Sequence, residues 1–224
     1  MHRTVHPSIL YVGTPVVLIG TRNEDGSPNL APISSAWWLG WNCMLGFGAH
    51  SKTPQNLQRT RQCTINLPSV AEVAQVNRLA RLTGSDPVPP NKQARGYTFC
   101  ADKFGASEFT AEEAEIVDAP LVRECPLQME AELTAAHPFA PEAKGNLIAL
   151  EVRILRVHAH PEILMKTDGN RIDPDKWRPF MNFCEFYGLG EQVHRSRLAE
   201  IPEALYRPAR VQQMMEDMAE EALA

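Results

Sequence analysis

The chain has 224 residues, 44% of them hydrophobic, five cysteines and a formal net charge of -5. This length suits one core, so the expectation is a single domain over 1–224, with a core from about 10 to 160 and a C-terminal extension over 161–224. The acidic balance and the lack of a dense Lys/Arg cluster argue against nucleic acid as a partner.

Cys43, Cys63, Cys100, Cys125 and Cys184 are scattered, odd in number and form no C-x-x-C pair, which reads as free thiols in a reducing compartment. The apolar stretch near the N-terminus is broken by Gly13 and Pro15, and no other run is long enough to span a bilayer. A cytoplasmic protein without membrane partners is expected.

Strands dominate the first and middle parts. Residues 15–21 are a β-branched run, Asp25-Gly26 is a hairpin signal, and residues 29–36 read as the second strand of that hairpin. Two more strands are predicted over 42–49 and 63–67, separated by a short polar segment. Residues 127–133 alternate apolar and polar, as Leu150, Val152 and Ile154 do with Glu151 and Arg153. Such a run of strands predicts a barrel or sandwich rather than a parallel sheet.

Helices enter as inserts. Val70, Val73, Val76 and Leu79 are spaced for a helix over 69–82, and Thr110-Ala111-Glu112-Glu113 has the pattern of a capping box opening another. The three prolines between 86 and 91 predict a loop. After Pro208, Val211, Met214, Met215 and Met218 share one helical stripe, predicting a C-terminal helix packed on its own core or on a second subunit.

The most informative stretch runs from His50 through Ser51, Lys52, Thr53, Pro54, Gln55 and Asn56. Thr53 suits an N-cap and Pro54 the first helical position, so a helix should start there with free N–H groups. Those donors, the hydroxyls of Ser51 and Thr53 and the charge of Lys52 suit a phosphate monoester; a well-capped helix with a solvated lysine is the plainer alternative. Gly46 and Gly48 on the preceding strand, with Ser34, Ser35 and Ala36, would leave space for a flat ligand, unless the glycines mark only a bulge.

Weaker signals remain. His158 and His160 share a strand face and could offer two metal ligands, but nothing converges on them, so they read as surface residues and no metal is expected. Gly188-Leu189-Gly190 lacks the third glycine of a dinucleotide fingerprint and reads as a turn. Trp37, Trp38 and Trp41 read as core or subunit contacts, with stacking on a ligand as the alternative.

The sequence resembles the flavin reductase-like proteins of the FMN-binding split-barrel superfamily. The likeness rests on Thr14-Pro15-Val16-Val17-Leu18-Ile19, on the stretch from Gly26 to Ser34, on Ser51-Lys52-Thr53-Pro54-Gln55-Asn56-Leu57 followed by Thr64-Ile65-Asn66-Leu67-Pro68, and on Asp102-Lys103-Phe104, Asp118-Ala119-Pro120-Leu121 and Glu151-Val152. It implies a mainly β fold, a split β-barrel of Greek-key type with peripheral helices and a C-terminal helix. It further implies that Ser51, Lys52, Thr53 and Asn56 hold the FMN phosphate, that Ser34, Ser35, Ala36 and Trp37 line the isoalloxazine, that His50 lies close to the ribityl chain, and that Phe104 sits near the open face of the ring. NADH or NADPH as co-substrate and a homodimer are implied as well.

One stretch departs from that pattern. Where many short flavin reductases carry Gly-Asp-His, associated with nicotinamide use, this chain reads Gly145-Asn146-Leu147. Three functions follow: an FMN-dependent NAD(P)H oxidoreductase with no catalytic side chain of its own, a flavoredoxin-like electron carrier reduced by a partner protein, or a non-flavin binding module on the same fold.

Overall fold

The computed structural model describes residues 2–6, 10, 12–140, 142, 146–194 and 196–221. Its main sheet has seven strands: β1 (Val17–Arg22), β2 (Pro28–Ile33), β3 (Ala36–Leu39), β4 (Asn42–Gly48), β5 (Gln62–Leu67), β6 (Leu127–Pro138) and β7 (Leu147–Ala159). They lie in the order β2-β1-β5-β6-β7-β4-β3, and every neighbouring pair is antiparallel. The two edge strands, β2 and β3, are consecutive in the chain and joined only by Ser34 and Ser35. A sheet whose edges are tied by two residues has to curl on itself, and the Gly46 N–H closes the corner by donating to the Ser35 carbonyl at 2.8 Å.

That corner corrects the expectation of one strand over 29–36. The chain leaves β1 as its partner at Ile33 and takes up pairing with β4 at Ala36. The hairpin at Asp25-Gly26 forms as predicted, with Gly26 at φ 80°, a conformation that glycine adopts without steric cost.

Strand β1 is dry on both faces, which is why it reads as an unbroken apolar run rather than an alternation. Val17 and Ile19 point into a core shared with Leu45, Ile65, Leu133, Leu150 and Val152. Val16 and Leu18 point the other way, into a second core completed by helices α2 (Val73–Leu79) and α3 (Lys103–Ser107) through Val76, Leu79 and Phe104. The helices thus cover the sheet from outside.

Two local readings need correction. At Thr110 no helix opens: Ala111–Glu112 pairs with Leu121–Val122 as a short strand, and the Thr110 N–H donates to the Glu124 carboxylate. Here tertiary pairing outweighs a local capping pattern. The capping box lies instead at Ser69, whose N–H and hydroxyl both reach Glu72 at 2.7 Å. It opens a single 3-10 turn that leads into α2 and ends short of 82, because Leu82–Thr83 pairs in parallel with Thr98–Phe99.

The loop after Asp86 runs into a helical turn at Pro90–Gln93. Beyond β7, Phe180–Asn182 and Phe186–Gly188 form a hairpin whose first strand pairs with Thr14–Pro15, so Gly188 ends a strand rather than making the predicted turn. The last helix, α4 (Ala209–Glu221), starts directly after Pro208 and half-buries Val211, Met214 and Met215. The side chain of Met218 and all of Gly145 lie outside the described residues. Among the described residues, no helix is long and apolar enough to cross a membrane.

Candidate functional site

Helix α1 (Lys52–Thr60) follows β4 directly and begins two residues before the predicted start. The chain turns early because the Ser51 N–H bonds back to the Gly48 carbonyl at 2.9 Å. Ser51, not Thr53, is therefore the N-cap, with extended φ and ψ of -81° and 152°, and Pro54 falls at the third helical position. Ser51 makes no side-chain capping bond, and the N–H groups of Lys52 and Thr53 have no acceptor among the described residues. An N-cap serine that does not cap leaves the helix start with free donors and its partial positive charge.

Thr53 and Asn56 turn inward. The Asn29 amide donates to Thr53 Oγ1 at 3.1 Å and to Thr21 Oγ1 at 2.9 Å, and the Asn56 amide donates to Thr21 Oγ1 at 3.2 Å and to Asn23 Oδ1 at 2.9 Å. Both hydrogens of the Asn56 amide are thereby spent, and its buried Oδ1 has no partner among the described residues. Thr53 accepts from Asn29, so its own hydroxyl hydrogen stays available.

Beneath this group lies a residue whose role sequence reasoning missed. Lys103 is 4% exposed, and its ammonium donates to Asn29 Oδ1 and to the Leu30 carbonyl, each at 3.0 Å. Burial, with the Lys92 charge adding, pushes its pKa down to about 8. Two signals were available for this network: an asparagine inside the predicted strand, since Asn is depleted from strands, and the place of Lys103 in the Asp102-Lys103-Phe104 stretch.

In front of α1 opens a cleft of about 300 Å3, lined among others by Asn23, Glu24, Asn29, Lys52, Gly84 and Phe99. Gly84 has to be glycine, because a Cβ there would stand 2.9 Å from Asn29 Oδ1 and 3.3 Å from Lys52 Cγ. Lys52 reaches across the mouth to Glu24 at 3.3 Å.

The residues expected around the ring lie at the β2–β3 corner. Ser34 accepts from the Asn182 amide at 3.1 Å, Ser35 and Trp37 are exposed, and Ala36 is buried. His50 is exposed at the end of β4. Gly46 does not open a groove: its absent Cβ would stand 2.9 Å from Ser35 Cβ, so it lets the corner close. Gly48 keeps open space, with Ser51 Oγ the nearest atom at 3.5 Å from the position of a Cβ. Trp38 and Trp41 pack against the barrel core.

Phe104 is corrected. At 4% exposure it belongs to the second core, between Leu30 and the α2 side chains, and presents no ring face to a ligand. The exposed aromatic on the cleft is Phe99.

The two histidines near the end of β7 go to different partners. His158 Nε2 meets Glu130 at 2.7 Å, while His160 Nδ1 accepts from the Glu162 N–H at 3.4 Å. Glu115, Glu130 and His158 are close enough together to hold a cation. However, the Glu130 carboxylate already takes the N–H groups of Glu115, Ile116 and Val117 besides His158, which occupies its lone pairs and makes it a structural anchor.

Residues 10–171 match the flavin reductase like domain. The uncharacterized protein YdfE of Bacillus subtilis (strain 168) is 36% identical over 199 residues, covering 88% of this chain and 94% of that protein. Among solved structures, flavoredoxin of Desulfovibrio vulgaris (Miyazaki F) superimposes with a TM-score of 0.72 at 22% identity, covering 90% of this chain and all of that one (100%). Nitrilotriacetate monooxygenase component B from Bacillus cereus gives 0.68 at 22% identity, over 82% and 88% of the two chains. These structures share the split-barrel fold, and with the domain match and a relative at 36% identity the chain belongs to the flavin reductase-like family.

Proposed function

We propose that the protein is an FMN-binding oxidoreductase that accepts hydride from NADH or NADPH. The observation that carries this reading is the uncapped start of α1, where Ser51 makes no side-chain capping bond, the N–H groups of Lys52 and Thr53 stay unpaired among the described residues, and Lys52 lines a cleft. These residues fit a phosphate monoester, because every group on offer is a donor or a cation. Thr53 adds a hydroxyl held in place by Asn29. Asn56 serves by bracing Thr21 and Asn23, since its amide has no hydrogen left for a ligand.

Bound there, FMN would supply the redox chemistry itself, so no protein acid, base or nucleophile is required. The protein's part is to position the phosphate tail and to keep Ser34, Ser35 and Trp37 beside the ring. A single domain over the whole chain and a homodimer in the cytoplasm complete the proposal. Exposed Trp37 and Leu39 on the edge strand β3 support the dimer.

A carrier reduced by a partner protein is the second reading, favoured by Gly145-Asn146-Leu147 standing where many family members have Gly-Asp-His. Two measurements decide. Changing Lys52 and Thr53 together to Ala should weaken FMN far more than riboflavin, which lacks the phosphate; equal losses remove the pocket assignment. Anaerobic NADH or NADPH should bleach the FMN band, and a colour that persists with both assigns the carrier role.

A further inference from the structure

The chain beyond β7 returns to the β2–β3 corner. The hairpin of Phe180–Asn182 and Phe186–Gly188 lies outside the residues that match the family domain, yet its first strand pairs with Thr14–Pro15, just ahead of β1.

The hairpin is firmly seated. Phe180 is 2% exposed in the second core and meets Phe186 edge to face at 5.2 Å, and the Val16 N–H donates to the Phe180 carbonyl at 3.2 Å. Phe183 lies where a Cβ on Gly13 would collide with its ring, and it packs edge to face on Tyr187 at 5.4 Å. Cys184 turns the chain with φ at 65°.

Asn182 has one orientation in this frame. Its Oδ1 accepts from the Cys184 N–H at 2.9 Å, so its amide nitrogen is the end that meets Ser34, donating to Oγ at 3.1 Å. A flipped amide would set its NH2 group against an N–H. A serine hydroxyl with both roles open can give or take a hydrogen bond. With one lone pair of Ser34 taken by a fixed donor, its own hydrogen is left to give, and that hydrogen has no acceptor among the described residues.

We propose that Asn182 is a positioning residue for the flavin ring, fixing the Ser34 hydroxyl as a donor to the ring edge where negative charge grows on reduction. This rests on the FMN reading, with Ser34 beside the ring. Such a donor binds the reduced ring more tightly than the oxidised one, so the hairpin raises the reduction potential through Ser34. Because it acts on the ring and not on the phosphate, FMN and riboflavin respond alike.

The test measures the two-electron midpoint potential of bound FMN and of bound riboflavin by spectroelectrochemical titration, with affinities of the oxidised flavins from fluorescence. Asn182→Asp keeps an acceptor for the Cys184 N–H, and with it the hairpin, but its carboxylate takes the Ser34 hydrogen for itself. The preference for reduced over oxidised flavin should fall about tenfold, which is about 30 mV. In a Ser34→Ala background the same change should do about threefold or less, by charge alone. Asn182→Ala, which removes the donor and adds no charge, should shift the preference in the same direction by about threefold.

An Asn182→Asp shift of equal size in both backgrounds overturns the proposal and leaves the flavin reading intact, since Ser34 is then no intermediary. A shift seen with FMN but absent with riboflavin also overturns it, because Asn182 then acts on the phosphate. Unmodified protein that binds neither flavin removes the flavin reading and this proposal together.

Discussion

Lys103 and Asn29 are joined by a 3.0 Å hydrogen bond between a buried ammonium and a side-chain oxygen, and the amide of the same Asn29 holds Thr53 Oγ1 at 3.1 Å. The charge of Lys103 thus reaches the start of α1 through one intermediary. Its pKa of about 8 places its loss of charge within reach of ordinary buffers. A bound phosphate favours the charged form, so FMN binding is strongest while Lys103 is protonated in the free protein and weakens as pH rises through about 8. The ratio of FMN to riboflavin affinity, measured by flavin fluorescence from pH 6.5 to about 9.5, should fall at most about tenfold per unit. Lys92 and Cys100 also act on Lys103 electrostatically, so Lys92→Gln and Cys100→Ser should keep the decline. A ratio independent of pH would disconnect Lys103 from the phosphate site.

Glu24 competes for Lys52. The pair is 3.3 Å apart, with Glu24 side-chain exposure of 59%, so it contributes little to stability but occupies the cation that the phosphate needs. Glu24→Gln should tighten FMN by about threefold to tenfold, leave riboflavin unchanged, and keep the melting temperature within about 2 °C. Unchanged FMN affinity would mean that Lys52 takes no part in binding.

The barrel was legible where the chain states it locally. The β-branched run of β1, the Asp25-Gly26 turn and the alternation in β6 each fix an element without help from distant residues. The corner at Ser34-Ser35 was not legible, because a strand that changes partners keeps its extended backbone and shows no break in pattern. Thr110 failed for the opposite reason: a capping pattern is local, and Glu124, fourteen residues on, supplied the acceptor instead. In the candidate site, Ser51 and Lys52 could be named from spacing, whereas Lys103 and Gly84 come from distant segments that only the fold brings together. Phe104 shows the same limit, since an aromatic beside a motif carries no record of which way its ring points.

Gly46 is held to glycine by the corner rather than by a ligand. A methyl group there would press on Ser35 Cβ at 2.9 Å and strain the 2.8 Å bond between Gly46 and Ser35. Gly46→Ala should cost about 1–3 kcal/mol, read as a lower urea midpoint at unchanged m-value. Gly48→Ala, where the nearest atom is 3.5 Å away, should cost less than about 1 kcal/mol. Equal losses at the two sites would place the constraint in the strand itself and not in the corner.

Glu130 anchors the segment before β6 and does so only as an anion. Burial alone would raise its pKa, but the hydrogen bond from His158 and the N–H groups of Ile116, Val117 and Glu115 outweigh that, leaving the carboxyl below its ordinary range. A carboxyl lowered in the folded state stabilises the fold above its unfolded pKa of about 4.3, and the contribution disappears as pH falls through the folded value. Glu130→Gln should therefore lose about 2–3 kcal/mol at pH 7, because an amide nitrogen then faces N–H donors, and the gap to the unmodified protein should narrow below about pH 4. Urea titrations at pH 7, 5 and 3.5 measure both effects. A gap that stays constant across that range would show that the anionic form contributes nothing, and that the side chain acts through packing alone.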